Sequence, residues 1–192
     1  MKFGQENVHN IVHTRELRQL ESEFLRIAVV SDTHGLPHPN LAQHLRELAP
    51  GHIVHAGDVG DFGVIRHLEK LARVTAVRGN VDGHDWADRV TLDVRDEQRS
   101  YLRILITHCA LNGPTLRSDV ARIARAEDAS LVVCGHSHVP FAGRDGELTI
   151  FNPGSVGPRR FRLPITFGVI EVSAKGISVR HVDCETGLPW AP

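Results

Sequence analysis

The sequence predicts an α/β fold, in which short buried strands alternate with amphipathic helices. Five apolar runs are rich in branched residues and bounded by turn formers, as buried strands are. Apolar residues at helical spacing lie between several of these runs, which is typical of βαβ units with partly parallel pairing. The last third changes to consecutive strand patterns and predicts a second, more antiparallel sheet. The five runs are Ile27 to Val30, Ile53 to Ala56, Val74 to Val77, Ile104 to Ile106 and Leu131 to Cys134.

An N-terminal extension, residues 1–24, precedes the first of these strands. Leu17, Leu20 and Phe24 alternate with charged residues, and Thr14 is a suitable N-cap, so the pattern predicts a short helix after Thr14. Residues 25–192 are predicted to form a single domain.

The remaining strands and helices are predicted from the same two patterns, strand-like apolar runs and apolar residues at helical spacing. The tail from Asp183 to Pro192 is expected to be a surface strap, and a hairpin is predicted at Ser173 to Gly176. Helices are indicated by Leu41, Leu45 and Leu48, by Val64, Leu68 and Leu71, and by Leu116, Val120, Ile123 and Ala124. Further strands are predicted over Arg89 to Val94, Leu148 to Phe151, Thr166 to Val172 and Ile177 to Val182.

Composition excludes several classes of protein. The chain has 192 residues, of which 41% are hydrophobic and 23% charged, as in soluble globular proteins. No apolar run approaches the length of a membrane span, and the N-terminus lacks a signal-peptide core. Three cysteines without C-x-x-C spacing indicate a reducing compartment, so we expect a cytoplasmic protein. The net charge of −1 and the mixed charges disfavour a large nucleic-acid surface.

Polar motifs follow each of the five strands directly. The carboxyl ends of strands in an α/β sheet border one crevice, so these side chains can converge despite their distance along the chain. The motifs are Asp32-Thr33-His34, Gly57-Asp58-Val59-Gly60-Asp61, Gly79-Asn80-Val81-Asp82, Thr107-His108 and Gly135-His136-Ser137-His138; a sixth, Asn152-Pro153-Gly154-Ser155, lies further along.

The residue types predict a site for two metal ions. Carboxylate, amide oxygen and imidazole suit a borderline divalent ion, with Mn favoured and Ni, Fe, Co or Zn as alternatives. The candidate ligands are too many for one tetrahedral ion and fit two ions roughly 3.5 to 4 Å apart that share a carboxylate. Such a cationic pocket favours an anionic phosphate ester and makes hydroxide available at neutral pH. The candidates are Asp32, His34, Asp58, Asn80, His108, His136 and His138.

This ordered set of motifs resembles the calcineurin-like metallophosphoesterase family, and within it the small single-domain phosphodiesterase branch. The resemblance spans about residues 26 to 182 and implies a four-layer α/β/β/α sandwich with two mixed β-sheets and a dinuclear centre at their edge. When the motifs are matched one by one, the resemblance implies that Asp58 bridges the two ions. It further implies that Asp32, His34, Asp58 and His138 hold one ion, while Asp58, Asn80, His108 and His136 hold the other and are the catalytic set.

Two positions depart from the family pattern. Val81 stands where larger relatives carry a His thought to protonate the leaving group, so esters with poor leaving groups should react slowly. His84 is a candidate replacement donor, although an exposed loop histidine is the simpler interpretation. Cys109 stands where the family usually has Gly, and either places a thiol near the metals or is buried for structural reasons.

Other residues near the motifs have two open interpretations each. Asp61 and Asp82 either orient ligating histidines or cap loops, and His55 either supports the ligand loop or is a satisfied core histidine. Arg159 and Arg160 either hold a phosphate oxygen or are solvated surface residues.

The sequence thus predicts a metal-dependent phosphodiesterase that acts on a small phosphate-ester substrate. A phosphomonoesterase or nucleotidase would use the same ions but needs extra positive charge for the dianion, which Arg159 or Arg160 could supply. A non-catalytic scaffold of the same fold is disfavoured because all seven candidate ligands are present. No membrane partner is expected, and self-association into a homo-oligomer stays open.

Overall fold

A computed structural model describes residues 12–18 and 24–191 of the chain. Among these residues, none of the helices has the length and apolar character needed to cross a bilayer. In chain order the elements are β1 Val12–Arg18, β2 Phe24–Val30, α1 Leu41–Leu48, β3 His52–His55, α2 Phe62–Glu69, β4 Val74–Ala76, β5 Arg89–Arg95, β6 Ser100–Thr107, β7 Leu111–Asn112, β8 Thr115–Leu116, α3 Ser118–Ala126, β9 Leu131–Val133, β10 Phe141–Asp145, β11 Leu148–Asn152, β12 Thr166–Ser173, β13 Gly176–Asp183 and β14 Pro189–Trp190.

Two mixed sheets form the body of the fold, as predicted. Within the described residues, one has the strand order β1-β5-β6-β9-β11-β10 and the other β14-β13-β12-β2-β3-β4. Both contain parallel and antiparallel pairs: β2, β3 and β4 run parallel, while β12 pairs antiparallel with β2. The small hairpin β7-β8 stands apart from both.

Three apolar clusters give the sandwich its four layers. The central cluster joins residues of both sheets, such as Ile27 and Val54 on one side and Leu92 and Ile104 on the other. A second cluster packs α1 and α2 against the outer face of the β2-β3 sheet. The third cluster packs α3 against the outer face of the β6-β9 sheet. The α/β/β/α order that the resemblance implied is therefore confirmed.

The assignment of strands to sheets differs from the sequence prediction. The strands of the last third do not make a separate antiparallel sheet, because β12 and β13 join β2 and β3, whereas β11 joins β6 and β9. Periodicity within a strand reports which face is buried, but the choice of neighbouring strand depends on contacts distant in sequence.

The helix predicted after Thr14 is wrong for residues 12–18. Those residues form β1, which pairs in parallel with β5 from Val12 opposite Arg89 to Arg18 opposite Arg95. Val12 and Thr14 are β-branched, and the edge of β5 offers backbone hydrogen bonds that outweigh a weak helical pattern. The rest of the predicted extension, 1–11 and 19–23, lies outside the described residues.

Smaller differences concern the ends of elements. Leu71 follows α2, and Leu116 lies in β8 rather than in α3. The predicted hairpin is present, with Ser173 paired to Gly176. The tail is tied to the sheet, because Trp190 pairs with His181 through β14. The sequence prediction missed β10, which pairs with β11.

Candidate metal centre

The candidate ligands lie in the loops that follow β2, β3, β4, β6 and β9. Backbone hydrogen bonds tie these loops together: Asp32 N donates to Gly57 O at 2.9 Å, and His34 N donates to Asp58 O at 2.9 Å. Gly135 N donates to His108 O at 3.0 Å. These bonds join the loops that follow β2 and β3 and the loops that follow β6 and β9, which brings distant sequence motifs together.

One group of donor atoms is formed by Asp32, His34 and His138. His138 Nε2 lies 3.3 Å from Asp32 Oδ1 and 3.4 Å from His34 Nε2. The three ligand atoms lie within 4.8 Å of one another, an arrangement that could hold a metal ion. Two donors on one tetrahedral ion with bonds near 2.0 to 2.1 Å are separated by about 3.3 Å, so the observed spacings fit one ion.

A second group lies beside the first and contains Asp32, Asp58 and His108. Asp58 Oδ2 is 3.7 Å from His34 Nε2 and 3.4 Å from His108 Nε2. One carboxylate oxygen therefore lies between histidines of the two groups, which is the geometry that a bridging ligand needs.

A third group consists of His108, Cys109 and His136, whose ligand atoms also lie within 4.8 Å of one another. The rings of His108 and His136 meet edge to face with their centroids 5.3 Å apart. Asn80 reaches this group through Cys109, whose Sγ lies 3.6 Å from Asn80 Oδ1. The structure thus brings all seven candidate ligands to one edge, with Cys109 among them.

Two atoms that face the donor groups are buried without a hydrogen-bond partner among the described residues. These atoms are Asp32 Oδ1 and His108 Nε2, both facing the donor groups. An unsatisfied buried polar atom costs about 1 to 3 kcal/mol, so such atoms call for a ligand. A divalent cation satisfies a carboxylate oxygen and an unprotonated imidazole nitrogen together, and the donor set therefore fits the metal ions that its chemistry predicts.

Backbone conformation also marks the site. Five candidate ligands have φ in the left-handed region: Asp32 at 56°, His34 at 46°, Asp58 at 53°, His136 at 70° and His138 at 60°. Each such residue costs on the order of 1 to 3 kcal/mol and persists only where the surrounding structure imposes it. His136 and His138 lie outside any strand, which allows one to join His108 and the other to join Asp32.

Glycines allow the close approach of neighbouring loops. A Cβ at Gly79 would overlap the backbone nitrogen of Asp58, and one at Gly135 would overlap Ser31 Oγ. A Cβ at Gly57, where φ is +94°, would lie 2.6 Å from His108 Nδ1. The glycines that precede Asp58, Asn80 and His136 are therefore required by packing, and Gly57 is also required by its backbone conformation.

Protonation states are set by burial and by the mutual contacts of the ligands. Burial raises the pKa of Asp58, but the contact with the His108 ring and the hydrogen bond from the Val81 N–H outweigh it and leave that pKa below its ordinary value. Burial lowers the pKa of His108, but Asp58 and Asp32 outweigh it and raise that pKa. The pKa of Asp32 is also lowered, in spite of its burial, by its contacts with His138 and Ser31. Asp32 and Asp58 are therefore both ionised at neutral pH, as metal ligands must be.

The sixth motif, residues 152–155, supports the ligand loops through hydrogen bonds. Asn152 Nδ2 donates to Gly135 O at 2.8 Å and to Ser137 Oγ at 3.1 Å. Ser155 Oγ donates to Asp32 O at 3.0 Å. This motif therefore positions ligands and is itself outside the donor groups.

The two acidic residues with open interpretations cap backbone groups. Asp82 accepts from Val59 N, Gly60 N and Gly79 N at 2.8 to 3.1 Å, which joins two ligand loops. Asp61 is the N-cap of α2 and accepts from Gly63 N at 2.5 Å. The contacts of both favour loop capping over the orientation of a histidine.

Of the histidines and arginines whose role the sequence left open, only Arg160 contacts a candidate ligand among the described residues. His55 is a buried core histidine whose Nε2 lies 3.0 Å from Thr33 Oγ1, while its Nδ1 has no partner among the described residues. His84 Nδ1 accepts from Arg78 at 2.8 Å, a contact that gives no support to its role as a proton donor. Arg159 donates hydrogen bonds to Leu163 O and to the Glu185 carboxylate. Arg160 reaches the site, with Nη2 3.2 Å from His34 Nε2.

Comparisons with known proteins show which sequences and structures this chain is similar to. The family model of the calcineurin-like phosphoesterase superfamily domain matches residues 25–175. The probable metallophosphoesterase MJ0623 of Methanocaldococcus jannaschii is 29% identical over 104 residues, which span 54% of this chain and 52% of that protein. Phosphodiesterase YfcE of Escherichia coli K12 is 28% identical over 170 residues, which span 77% of this chain and 88% of YfcE.

A solved structure supports the fold alone. Vacuolar Protein Sorting 29 from Cryptosporidium parvum superposes with a TM-score of 0.70 at 16% identity, covering 88% of this chain and 96% of that one. A shared fold at this identity does not carry function, which depends on the donor groups described above.

Proposed function

Because the chain belongs to the calcineurin-like phosphoesterase superfamily, we propose that this metallophosphoesterase hydrolyses small phosphodiesters at a two-ion centre. The observation that carries the proposal is the position of Asp58 Oδ2, 3.7 Å from His34 Nε2 and 3.4 Å from His108 Nε2. A carboxylate oxygen between two imidazole nitrogens is suited to bridge two cations. The match to a phosphodiesterase, YfcE, favours diesters as the substrate class.

The proposed ligand sets follow the observed groups. Divalent ions held there supply positive charge that offsets the charge on the phosphoryl oxygens and makes hydroxide available at neutral pH. Manganese is the ion to test first, with Ni, Fe, Co and Zn as alternatives. One set is Asp32, His34, Asp58 and His138, and the other is Asp58, Asn80, His108 and His136.

The protein's own residues position the reacting groups. His108 Nδ1 donates to Ala56 O, so Nε2 is the ring nitrogen that would bind an ion. Arg160 lies beside His34 and can donate to a phosphoryl oxygen of a bound ester. These fixed donors stabilise charge as it develops on the phosphoryl group.

The departing oxygen has no evident proton donor at the position after Asn80. Val81 is 55% exposed and cannot supply a proton. When the bond between phosphorus and the leaving oxygen breaks, that oxygen takes the electron pair and must obtain its proton from solvent. A general acid contributes about 10² to 10⁴ in rate, so diesters with acidic leaving groups should be the better substrates.

Phosphomonoester hydrolysis is the second candidate function. Arg160 is the observation that favours it, since a dianionic substrate needs an additional positive group near the ions. A scaffold role would need neither metal nor substrate. We further propose that residues 25–192 form the main part of the domain and that residues 12–18 of the extension 1–24 add an edge strand to its sheet. We also propose that the protein is cytoplasmic and that it can form a homo-oligomer.

Titration of metal-free protein with Mn²⁺, followed by rate measurements with bis(p-nitrophenyl) phosphate and p-nitrophenyl phosphate, tests the proposal. We expect two ions per chain and a larger kcat/KM for the diester. A larger kcat/KM for the monoester would favour the second candidate. Failure to bind any divalent ion would overturn both and leave a scaffold role.

A further inference from the structure

Cys109 is the residue of the site that the ligand pattern of the family does not include. Its Sγ lies 3.6 Å from Asn80 Oδ1, and the thiol donates a hydrogen bond to that oxygen. The ligand atoms of His108, Cys109 and His136 lie within 4.8 Å of one another. Two imidazoles and an amide oxygen therefore lie near the sulfur of Cys109.

The hydrogen bonds of His108 identify the nitrogen that takes part. His108 Nδ1 is occupied by Ala56 O at 2.7 Å, whereas His108 Nε2 is buried without a partner among the described residues. Nε2 is therefore the ring nitrogen that is left to bind an ion, and it lies beside Asp58. Its separation from Asp58 Oδ2, 3.4 Å, is that of two ligands on one ion.

A purely structural role fits Cys109 less well than it fits the other cysteines. Cys134 and Cys184 are fully buried in apolar clusters, as a small hydrophobic residue would be. Cys109 is only partly buried, and its sulfur faces an amide oxygen. A partly exposed thiol within 4.8 Å of the ligand atoms of two histidines has the surroundings of a metal ligand.

We propose that Cys109 supplies a thiolate ligand to the ion held by Asp58, Asn80, His108 and His136, an inference that rests on the proposed metal centre. On binding, the thiol proton leaves to solvent and a sulfur lone pair forms the bond to the metal. Thiolate is a soft ligand, so this position favours Zn²⁺ or Co²⁺ over Mn²⁺. The two positions of the centre then differ in the metal that they prefer.

X-ray absorption at the zinc edge tests the bond directly. Wild-type protein loaded with zinc should show a sulfur scatterer at about 2.3 Å together with nitrogen and oxygen at about 2.0 to 2.1 Å. The sulfur contribution should be lost in Cys109→Ser and kept in Cys184→Ala, whose thiol lies outside the donor groups. The wild-type spectrum alone decides the question if Cys109→Ser does not fold.

Cobalt provides a second readout. Co²⁺-loaded wild type and Cys184→Ala should show near-ultraviolet charge transfer from sulfur to cobalt, which Cys109→Ser should lack. The zinc affinity of Cys109→Ser should fall about tenfold, with a much smaller change for Mn²⁺. Two zinc ions per wild-type chain without a sulfur scatterer would overturn this inference and leave the proposed function intact. Binding of no metal by wild-type protein would overturn both.

Discussion

His108 Nδ1 donates a hydrogen bond of 2.7 Å to the carbonyl oxygen of Ala56, the residue that follows β3. Because one ring nitrogen carries the proton for this bond, the other is free to bind a metal. The bond also fixes the ring beside Asp58, whose motif begins one residue after Ala56. A backbone carbonyl at the end of one strand thus orients a ligand that follows another strand.

Gly57→Ala should disturb this relationship. The added methyl group would lie 2.6 Å from His108 Nδ1 at a residue with φ of +94°. We expect a loss of about 1 to 3 kcal/mol in the free energy of unfolding and a tenfold or greater loss of metal affinity. Chemical denaturation and metal titration measure the two effects.

Gly113→Ala is the matched control, since φ there is +61° and the methyl group would meet open space. It should cost on the order of 1 to 2 kcal/mol of stability from backbone strain and leave metal affinity unchanged. Equal metal affinities in the two variants would argue against a role of Gly57 in placing His108.

Asp58→Asn should reduce bound metal and lower turnover more than tenfold. Asn tolerates the left-handed conformation of this residue, φ 53°, so the backbone should stay in place. The amide lacks the negative charge that a ligand shared by two cations needs. Metal analysis after dialysis and steady-state rates with a diester measure the change.

Asp61→Asn makes the same chemical change in the same loop. Asp61 caps α2 through Gly63 N, and Asn is an equally good cap, so stability should change little. Metal content and turnover should match wild type. An Asp58→Asn protein with wild-type metal content would contradict the bridging assignment.

Arg160→Ala should lower kcat/KM for phosphate esters by about tenfold while metal content stays unchanged. The guanidinium beside His34 can donate to a phosphoryl oxygen, and a charged hydrogen bond is worth about 1.5 to 3 kcal/mol. A larger loss for the monoester than for the diester is expected, because the dianion carries more charge. Rates with both substrates across their concentration range measure it.

Arg159→Ala supplies the comparison for this variant. Its guanidinium is held by Leu163 O and Glu185 on the exposed surface. We expect kcat/KM within about twofold of wild type and a stability change below about 1 kcal/mol. If both variants lost the same activity, general surface charge would be the cause.

Acidification should destabilise the fold through His55. Burial lowers the pKa of His55 from 6.5 to about 4, so between these values the unfolded chain binds a proton that the folded chain excludes. The free energy of unfolding should therefore fall as pH drops from 6.5 to 4, by about 3 kcal/mol from this residue. Above pH 6.5 His55 is neutral in both states and contributes no pH dependence.

His55→Gln should flatten this part of the profile, since Gln can still donate to Thr33 and does not titrate. Denaturant unfolding of both proteins at several pH values, with a chelator present throughout, measures the difference without a contribution from metal loss. Parallel profiles for the two proteins would exclude His55 as the source.

Much of the candidate site could be predicted from the sequence because it depends on short-range patterns. Each ligand motif follows a strand directly, and the end of a buried strand can be located from apolar residues and turn formers. The contacts of Cys109 and Asp82 could not be predicted in this way. Each pairs with a loop more than 20 residues away, at Asn80 and at Val59 and Gly60.

The sequence by itself determined the α/β class, the positions of most strands and helices, and the residue types available to bind metal. Only the tertiary structure decided that Val12–Arg18 pairs with β5 and that β12 joins β2 rather than a separate sheet. It alone placed Asp58 between His34 and His108. The physical reason is that periodicity is a property of neighbouring residues, whereas strand pairing and ligand geometry arise from contacts between residues far apart in the chain.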